Sequence, residues 1–322
     1  MAAPRPLTTG IYVASLTFFT GQDEVLDLAT HRRHILHMVE AGVKGIVLMG
    51  SNGEAPHISC EERKTVIHTT RAILNENGYK SMPIIAGCSD QSVKGAVQLC
   101  RDAALAGADY ALVLPPSYFR PAISADVIVG FYHDVAEKAP LPIILYSFPS
   151  VVAGIELSSD VLIAASEHKN VVGTKFTCAD TGKLNRVSTA MKGCKPSYVT
   201  LGGLADFILP GLVAGASGMI VGGANVAPRS CVRVCDLWAR GQVSDAYEAQ
   251  CILSTGDWAH TRMGVGGTKA VLQETFGYGG APRRPLRLPG PGEAATKNMF
   301  EDIEPLMQLE SELAAAAARK NP

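Results

Sequence analysis

A lysine and a tyrosine stand at the ends of two apolar runs. Lys175 lies in VVGTKFT, and Tyr146 closes PIILY ahead of the turn SFPSVV. If alternate residues of a strand share a face, Val171, Gly173 and Lys175 point the same way. On a face filled by apolar side chains the ammonium loses hydration, and its pKa is expected to fall toward neutrality. The neutral amine is the form that attacks a ketone to give a Schiff base. The plainer alternative is a lysine at a strand end that snorkels to solvent. A phenol beside an imine can carry protons to and from substrate hydroxyls. Taken alone, Tyr146 reads equally as a core tyrosine with a satisfied hydroxyl.

The turn GSNGE (Gly50–Glu54) supplies a third group. Its glycines let backbone N–H groups approach a ligand closely. Together with the Ser51 hydroxyl and the Asn52 amide they suit a carboxylate. Without other support an ordinary strand-to-helix turn is the simpler reading. Further candidates are weaker. His31, His34 and His37 are spaced by three, so they spiral around a helix and do not converge on a metal. Cys231 and Cys235 lie one helical turn apart and read as core. GVGGTK (Gly264–Lys269) lacks the phosphate-loop spacing. Arg283, Arg284 and Arg287 form a short basic cluster, read as solvated or at an interface.

Positioning such groups requires a scaffold. Eight near-continuous apolar runs are strand candidates: 11–19, 45–51, 83–88, 110–116, 142–148, 171–176, 197–203 and 215–223. Continuous apolarity fits parallel strands covered on both faces. Segments of helical period separate them, at about 23–41, 59–77, 91–106, 124–138, 158–168, 181–192 and 206–214. Alanine–glycine pairs at 41–42, 106–107 and 214–215 read as helix stops. Eight alternations predict a (β/α)8 TIM barrel over 1–227. In that fold catalytic groups sit at the C-terminal ends of strands, where Ser51, Asn52, Tyr146 and Lys175 fall. The competing open sheet of dinucleotide type needs G-x-G-x-x-G at a strand–helix junction, and none occurs. Residues 228–322 read as a C-terminal helical extension. Its helices are expected at 228–240, 244–260, 268–276 and 293–319, with a Pro/Gly/Arg loop at 277–292.

Composition narrows the partners. The chain has 322 residues, 47% apolar, with a formal net charge of −1. No basic field invites nucleic acid or an anionic membrane, and no apolar run is long enough to span a bilayer. The start MAAPRPLTTG is too short and proline-rich for a signal peptide. The eight cysteines include no CxxC pair and read as reduced thiols. A cytosolic or otherwise reducing compartment is the simplest expectation, and a mitochondrial one is compatible with it.

GSNGE, YSxP and GxK, in that order on strands two, five and six, resemble the dihydrodipicolinate synthase/N-acetylneuraminate lyase family of Schiff-base aldolases. The likeness runs from Gly10 to Leu286. Within the family, GSNGE, YSxP and FGYGGAPRRPL are most similar to 4-hydroxy-2-oxoglutarate aldolase; the synthases usually carry GTTGE and YNxP. The resemblance implies that Lys175 forms the imine with a 2-oxo acid and that Tyr146 is the main proton shuttle. It implies that Ser51 joins the relay, that Ser51 and Asn52 hold the carboxylate, and that Ile220 contacts bound pyruvate. Tyr118 matches a tyrosine that reaches into a neighbouring subunit, which implies a homo-oligomer, a dimer or tetramer. No metal or organic cofactor is implied.

One departure bears on the substrate. In the synthases the turn after the tyrosine carries an arginine that grips the carboxylate of aspartate semialdehyde, and Val151 stands there. A valine offers no donor, whereas a bidentate arginine–carboxylate pair is a strong contact. The expected activity is cleavage of a 4-hydroxy-2-oxo acid, either 4-hydroxy-2-oxoglutarate or a 2-keto-3-deoxy sugar acid. The alternatives are a synthase or dehydratase using the same imine, and a catalytically inactive barrel that binds a 2-oxo acid.

Overall fold

The computed structural model describes residues 4–290 and 292–320. The first three residues of the N-terminal segment and Pro291 of the Pro/Gly/Arg loop, both discussed above, lie outside them. Among the described residues ten strands are formed: β1 Ile11–Ala14, β2 Phe19–Thr20, β3 Val25–Leu26, β4 Gly45–Leu48, β5 Ile84–Gly87, β6 Tyr110–Val113, β7 Ile143–Ser147, β8 Val171–Phe176, β9 Val199–Gly202 and β10 Gly218–Val221. Eight of them close a parallel barrel in the order β1-β10-β9-β8-β7-β6-β5-β4. The predicted barrel is therefore present, with each apolar run contributing one strand.

The first run was read as a single strand to Phe19, but pairing stops at Ala14. Phe19 and Thr20 instead pair antiparallel with Leu26 and Val25 in a small hairpin. Two-residue strands carry no period to read. A second difference lies in β8. The register to β7 slips between Ile143 and Ile144, leaving Val172 as an extra residue. Such a bulge breaks alternation. Val171 packs in the outer core between strands and helices, so the inward face shared with Lys175 begins at Gly173.

The helices are α1 Leu28–Glu40, α2 Cys60–Glu76, α3 Val93–Ala106, α4 Ala125–Lys138, α5 Ser159–Ala165, α6 Thr181–Cys194, α7 Ile208–Val213, α8 Pro228–Ala239, α9 Val243–Thr261, α10 Gly264–Phe276 and α11 Ala294–Lys320. Serine or aspartate caps set several starts. Ser59, Ser92, Ser124 and Ser158 each accept from a backbone N–H in the first turn of α2, α3, α4 and α5. Gly42, Gly107 and Gly215 all have left-handed φ, as helix stops require. Helix α10 begins at Gly264, earlier than the expected start at 268, so GVGGTK is its first turns and not a loop.

Two packed regions result. Between barrel and helices lies the main core. Inside the barrel Tyr12, Val47, Ile85, Leu112, Ile144, Tyr146, Leu201 and Ile220 form a separate cluster, as expected of a filled barrel. The histidines of α1 belong to the outer region and separate as predicted. His31 Nε2 bonds Thr70 Oγ1, while His34 meets Tyr278 and Asn225. Cys231 and Cys235 are buried in the core, and all eight cysteines are free. Helix α8 packs on β1 and α7, and α11 lies across α8 and α9. Glu310 of α11 accepts from the Arg229 and Ser230 backbone N–H groups, capping α8. Among the described residues no helix is long and apolar enough to cross a membrane.

Candidate active site

The site is built where β7 and β8 run side by side. Tyr146 and Lys175 are register partners, so their inward side chains meet. Lys175 Nζ donates to the Tyr146 hydroxyl at 3.2 Å and lies 4.3 Å from the ring centroid. Both residues are 3% exposed. Among the described residues no carboxylate pairs with Lys175, so the amine is buried without a counter-ion to hold it. Its protein partner is the phenol.

Across the barrel mouth the turn after β4 brings Ser51 to the same phenol. Ser51 Oγ and the Tyr146 hydroxyl are 3.5 Å apart, the outer limit of a hydrogen bond. Asn52 reaches over to the end of β10, and a side chain at Gly222 would stand 2.3 Å from its Nδ2. Glycine at 222 thus makes room for the amide. Ile220, two residues earlier, faces inward and is wholly buried. Lys175, Tyr146 and Ser51 are therefore brought together; Asn52 stands at the end of β10 and Ile220 packs with Tyr146 inside the barrel, and neither lines the cavity described next. Tyr118 does not line the cavity of its own chain. It is 79% exposed and packs edge-on against Phe119.

A cavity of about 450 Å³ opens above this group, lined by Ser51, Glu54, His57, Arg63, Asp90, Tyr146, Val151 and Leu286 among others. That volume suits a small ligand. Tyr146 lines the cavity and Lys175 lies beneath, against the ring. Val151 stands in the wall, 45% exposed. Arg63 also lines the cavity, but its guanidinium donates to the carbonyls of Ala55, Ile58 and Gly87. Burial lowers its pKa from the usual arginine value.

Three features escaped the sequence reading. First, Glu54 is fully buried and accepts from Lys269 Nζ at 2.7 Å. Burial lowers the Lys269 pKa and Glu54 opposes that shift. Second, Arg283 is largely withdrawn from solvent. Its side chain is 15% exposed; it donates to Glu62 and to the carbonyls of His57 and Glu24. It also lies 4.4 Å from the Phe19 ring centroid. This pairing holds the Glu62 carboxyl down at about 2. Arg284 and Arg287 are exposed, as expected. Third, Thr177 lies just past β8, two residues beyond Lys175, and its buried hydroxyl has no protein partner. Its spacing of two from Lys175 was a usable signal. No such signal exists for pairs separated by 215 or more residues.

The chain compares closely with known proteins. Residues 7–297 match the model of the dihydrodipicolinate synthetase family. A protein of Aspergillus niger named L-threo-3-deoxy-hexylosonate aldolase is 44% identical, over 96% of this chain and 98% of its own. One of Emericella nidulans, named for mitochondrial 4-hydroxy-2-oxoglutarate aldolase activity, is also 44% identical, over 96% and 100%. The crystal structure of a dihydrodipicolinate synthase family protein from Coccidioides immitis superposes with a TM-score of 0.84 at 32% identity, covering 97% of this chain and 100% of that one. A lysine and a tyrosine paired on adjacent barrel strands under a serine–asparagine turn are thus accompanied by likeness over nearly the whole length. The chain belongs to the dihydrodipicolinate synthetase family.

Proposed function

We propose that this protein is a class I aldolase that cleaves a 4-hydroxy-2-oxo acid to pyruvate and an aldehyde. One observation carries the reading: the buried, carboxylate-free Lys175 amine lies 3.2 Å from the Tyr146 hydroxyl. Relatives named as aldolases at 44% identity support the reaction class.

In the proposed reaction the Lys175 amine adds to the C2 ketone and water leaves, giving a protonated imine. Ser51 and Asn52 hold the neighbouring carboxylate. Tyr146 takes the proton of the C4 hydroxyl. The C3–C4 electron pair moves to the imine as an enamine, and the aldehyde departs. A proton returns to C3, and water hydrolyses the imine to free pyruvate and the amine. No metal or organic cofactor enters these steps. Val151 leaves the cavity wall without the donor that a semialdehyde carboxylate would need, which favours cleavage over lysine-type synthesis.

The functional unit proposed is a homo-oligomer. Tyr118 and Phe119 are 79% and 69% exposed, and they follow Ser117, which lines the cavity. A second copy docked on this edge would cover both rings and bring its own Tyr118 toward the neighbouring cavity. The compartment proposed is a reducing one, cytosolic or mitochondrial, in keeping with eight free cysteines.

The test is chemical trapping. The protein is incubated with pyruvate, reduced with borohydride and digested for mass analysis. A reduced adduct on Lys175 is expected. An unmodified Lys175 at saturating pyruvate would defeat the proposal. Given the adduct, release of pyruvate from 4-hydroxy-2-oxoglutarate or from 3-deoxy-hexulosonates identifies the cleaved substrate.

A further inference from the structure

The turn that carries Ser51 and Asn52 is conformationally costly. Met49 before it and Glu54 at its end both adopt left-handed backbone, with φ of 49° and 54°, a region that non-glycine residues avoid. Such geometry persists only where the surroundings enforce it. The Glu54 N–H donates to the Ser51 carbonyl at 3.1 Å, and the Ala55 N–H to the Gly50 carbonyl. Where Glu54 is held, Ser51 is held.

Two of the three groups that hold Glu54 come from outside the barrel. One carboxylate oxygen accepts from Lys269 Nζ at 2.7 Å. The other accepts from the Arg283 N–H at 2.9 Å and from His57 Nδ1 at 3.1 Å. Both side chains of the Lys269–Glu54 pair are 0% exposed. Lys269 sits mid-way along α10, donates also to the Ala281 carbonyl, and stands 4.8 Å from the Phe19 ring centroid. Stability alone does not explain a charge pair here. Replacing such a pair by apolar side chains of similar volume is often neutral or stabilising. What an apolar pair lacks is direction: it cannot fix the orientation of a carboxylate and the turn attached to it.

We infer that Lys269 is a positioning residue for the imine chemistry: through Glu54 it fixes the Ser51–Asn52 turn, so the C-terminal extension completes the substrate carboxylate site. The inference rests on the aldolase reading of Lys175 and Ser51. It assigns Lys269, whose partner Glu54 lines the cavity, an effect on substrate binding.

The experiment titrates pyruvate against the borohydride-trapped Lys175 adduct and records thermal unfolding alongside. The variants are Lys269→Met and the neutral double variant Glu54→Gln/Lys269→Met. The second avoids an unpaired buried carboxylate should the first fail to fold. Leu306→Ala, a buried truncation in α11, serves as a control for lost stability alone. Both clamp variants are expected to need about tenfold or more pyruvate for half-maximal trapping, the scale set by small misplacements of binding groups. The control is expected to lower the melting temperature with an unchanged half-saturation point. Clamp variants that melt early yet titrate like the wild type would overturn the inference and leave the aldolase reading standing. Absence of any adduct in the wild type would overturn both.

Discussion

The Lys175 amine rests against the Tyr146 ring, with its nitrogen 3.2 Å from the hydroxyl and 4.3 Å from the ring centroid. On the proposed reading the phenol has two separable roles, packing and proton transfer. Tyr146→Phe keeps the ring and removes only the hydroxyl. Its turnover is expected to fall by about 10²- to 10⁴-fold, the usual worth of a positioned acid–base group. Trapping of the pyruvate imine should persist, because Lys175 is intact. Lys175→Ala should abolish trapping. A Tyr146→Phe enzyme with wild-type turnover would remove the phenol from the mechanism.

Val151 lines the cavity, at the position that the resemblance matches to the synthases' arginine. Val151→Arg should introduce condensation of pyruvate with aspartate semialdehyde. A hydrogen bond to a charged group contributes about 1.5–3 kcal/mol, or roughly tenfold to a hundredfold in kcat/KM. Cleavage of hydroxy-oxo acids should fall in the same variant as the guanidinium crowds the wall. Efficient use of the semialdehyde by the unaltered enzyme would show that Val151 does not decide the substrate.

Thr177, two residues beyond Lys175, offers a buried hydroxyl with no protein partner. A buried hydroxyl in that condition is costly, and a substrate oxygen would relieve it. Thr177→Val should raise KM for the cleaved hydroxy acid by about tenfold, the loss of one hydrogen bond of order 1 kcal/mol or a little more. The half-saturating pyruvate for imine trapping should not move. Equal weakening toward both ligands would place Thr177 at the carboxylate end instead.

The scaffold and the Lys175–Tyr146 pairing were legible in the sequence for the same reason. Parallel strands buried on both faces leave unbroken apolar runs, and a polar residue ending such a run is conspicuous. Adjacent strands then bring Tyr146 and Lys175 together with no further information. The supports were not legible. Lys269 reads as one lysine among helix formers, and its meaning depends on Glu54, 215 residues away. Arg283 sits in a run of arginines and prolines with the composition of a surface loop. Only the fold shows that its guanidinium closes over Glu62 and Phe19. The bulge at Val172 was hidden too, because valine is as apolar as its neighbours.

His31 and His34 are 2% and 0% exposed, and burial pushes their pKa values down to about 4 and about 3. Asn225 fixes the His34 tautomer. The Asn225 amide nitrogen donates to the Ala14 and Gly222 carbonyls, so its oxygen accepts from His34 Nε2–H at 2.9 Å, and Nδ1 accepts from Tyr278. Both folded values lie below the unfolded value of about 6.5. Their contribution to stability is thus fully present above that pH and is lost as pH falls toward 4, where only the unfolded chain takes up the protons. Each histidine contributes a slope of about 1.4 kcal/mol per pH unit in that window. Urea unfolding at pH 7, 6 and 5 measures it. His34→Gln should remove about one proton from the slope; an unaltered slope would mean that His34 is protonated in the native state.

Glu62 supplies the complementary window. Its carboxyl is held at about 2, first by the Arg283 hydrogen bond, with further help from the Ser59 backbone and hydroxyl. A carboxylate lowered in the folded state stabilises the protein above its unfolded value of about 4.3. That stabilisation disappears as pH falls from there toward 2. The pair is only partly exposed, at 15% and 25% for the two side chains, so its worth is about 2 kcal/mol after solvent screening. Arg283→Ala removes this pair, the contacts to the His57 and Glu24 carbonyls, and the packing over Phe19. It should therefore cost about 3 kcal/mol at pH 7, and less at pH 3, where Glu62 is being protonated in the unfolded chain. Measuring unfolding of both proteins at the two values checks the sign. The same substitution leaves Lys269 on Glu54, so pyruvate half-saturation should move by less than in Lys269→Met. A larger shift in Arg283→Ala would make the loop, and not α10, the principal support of the Ser51–Asn52 turn.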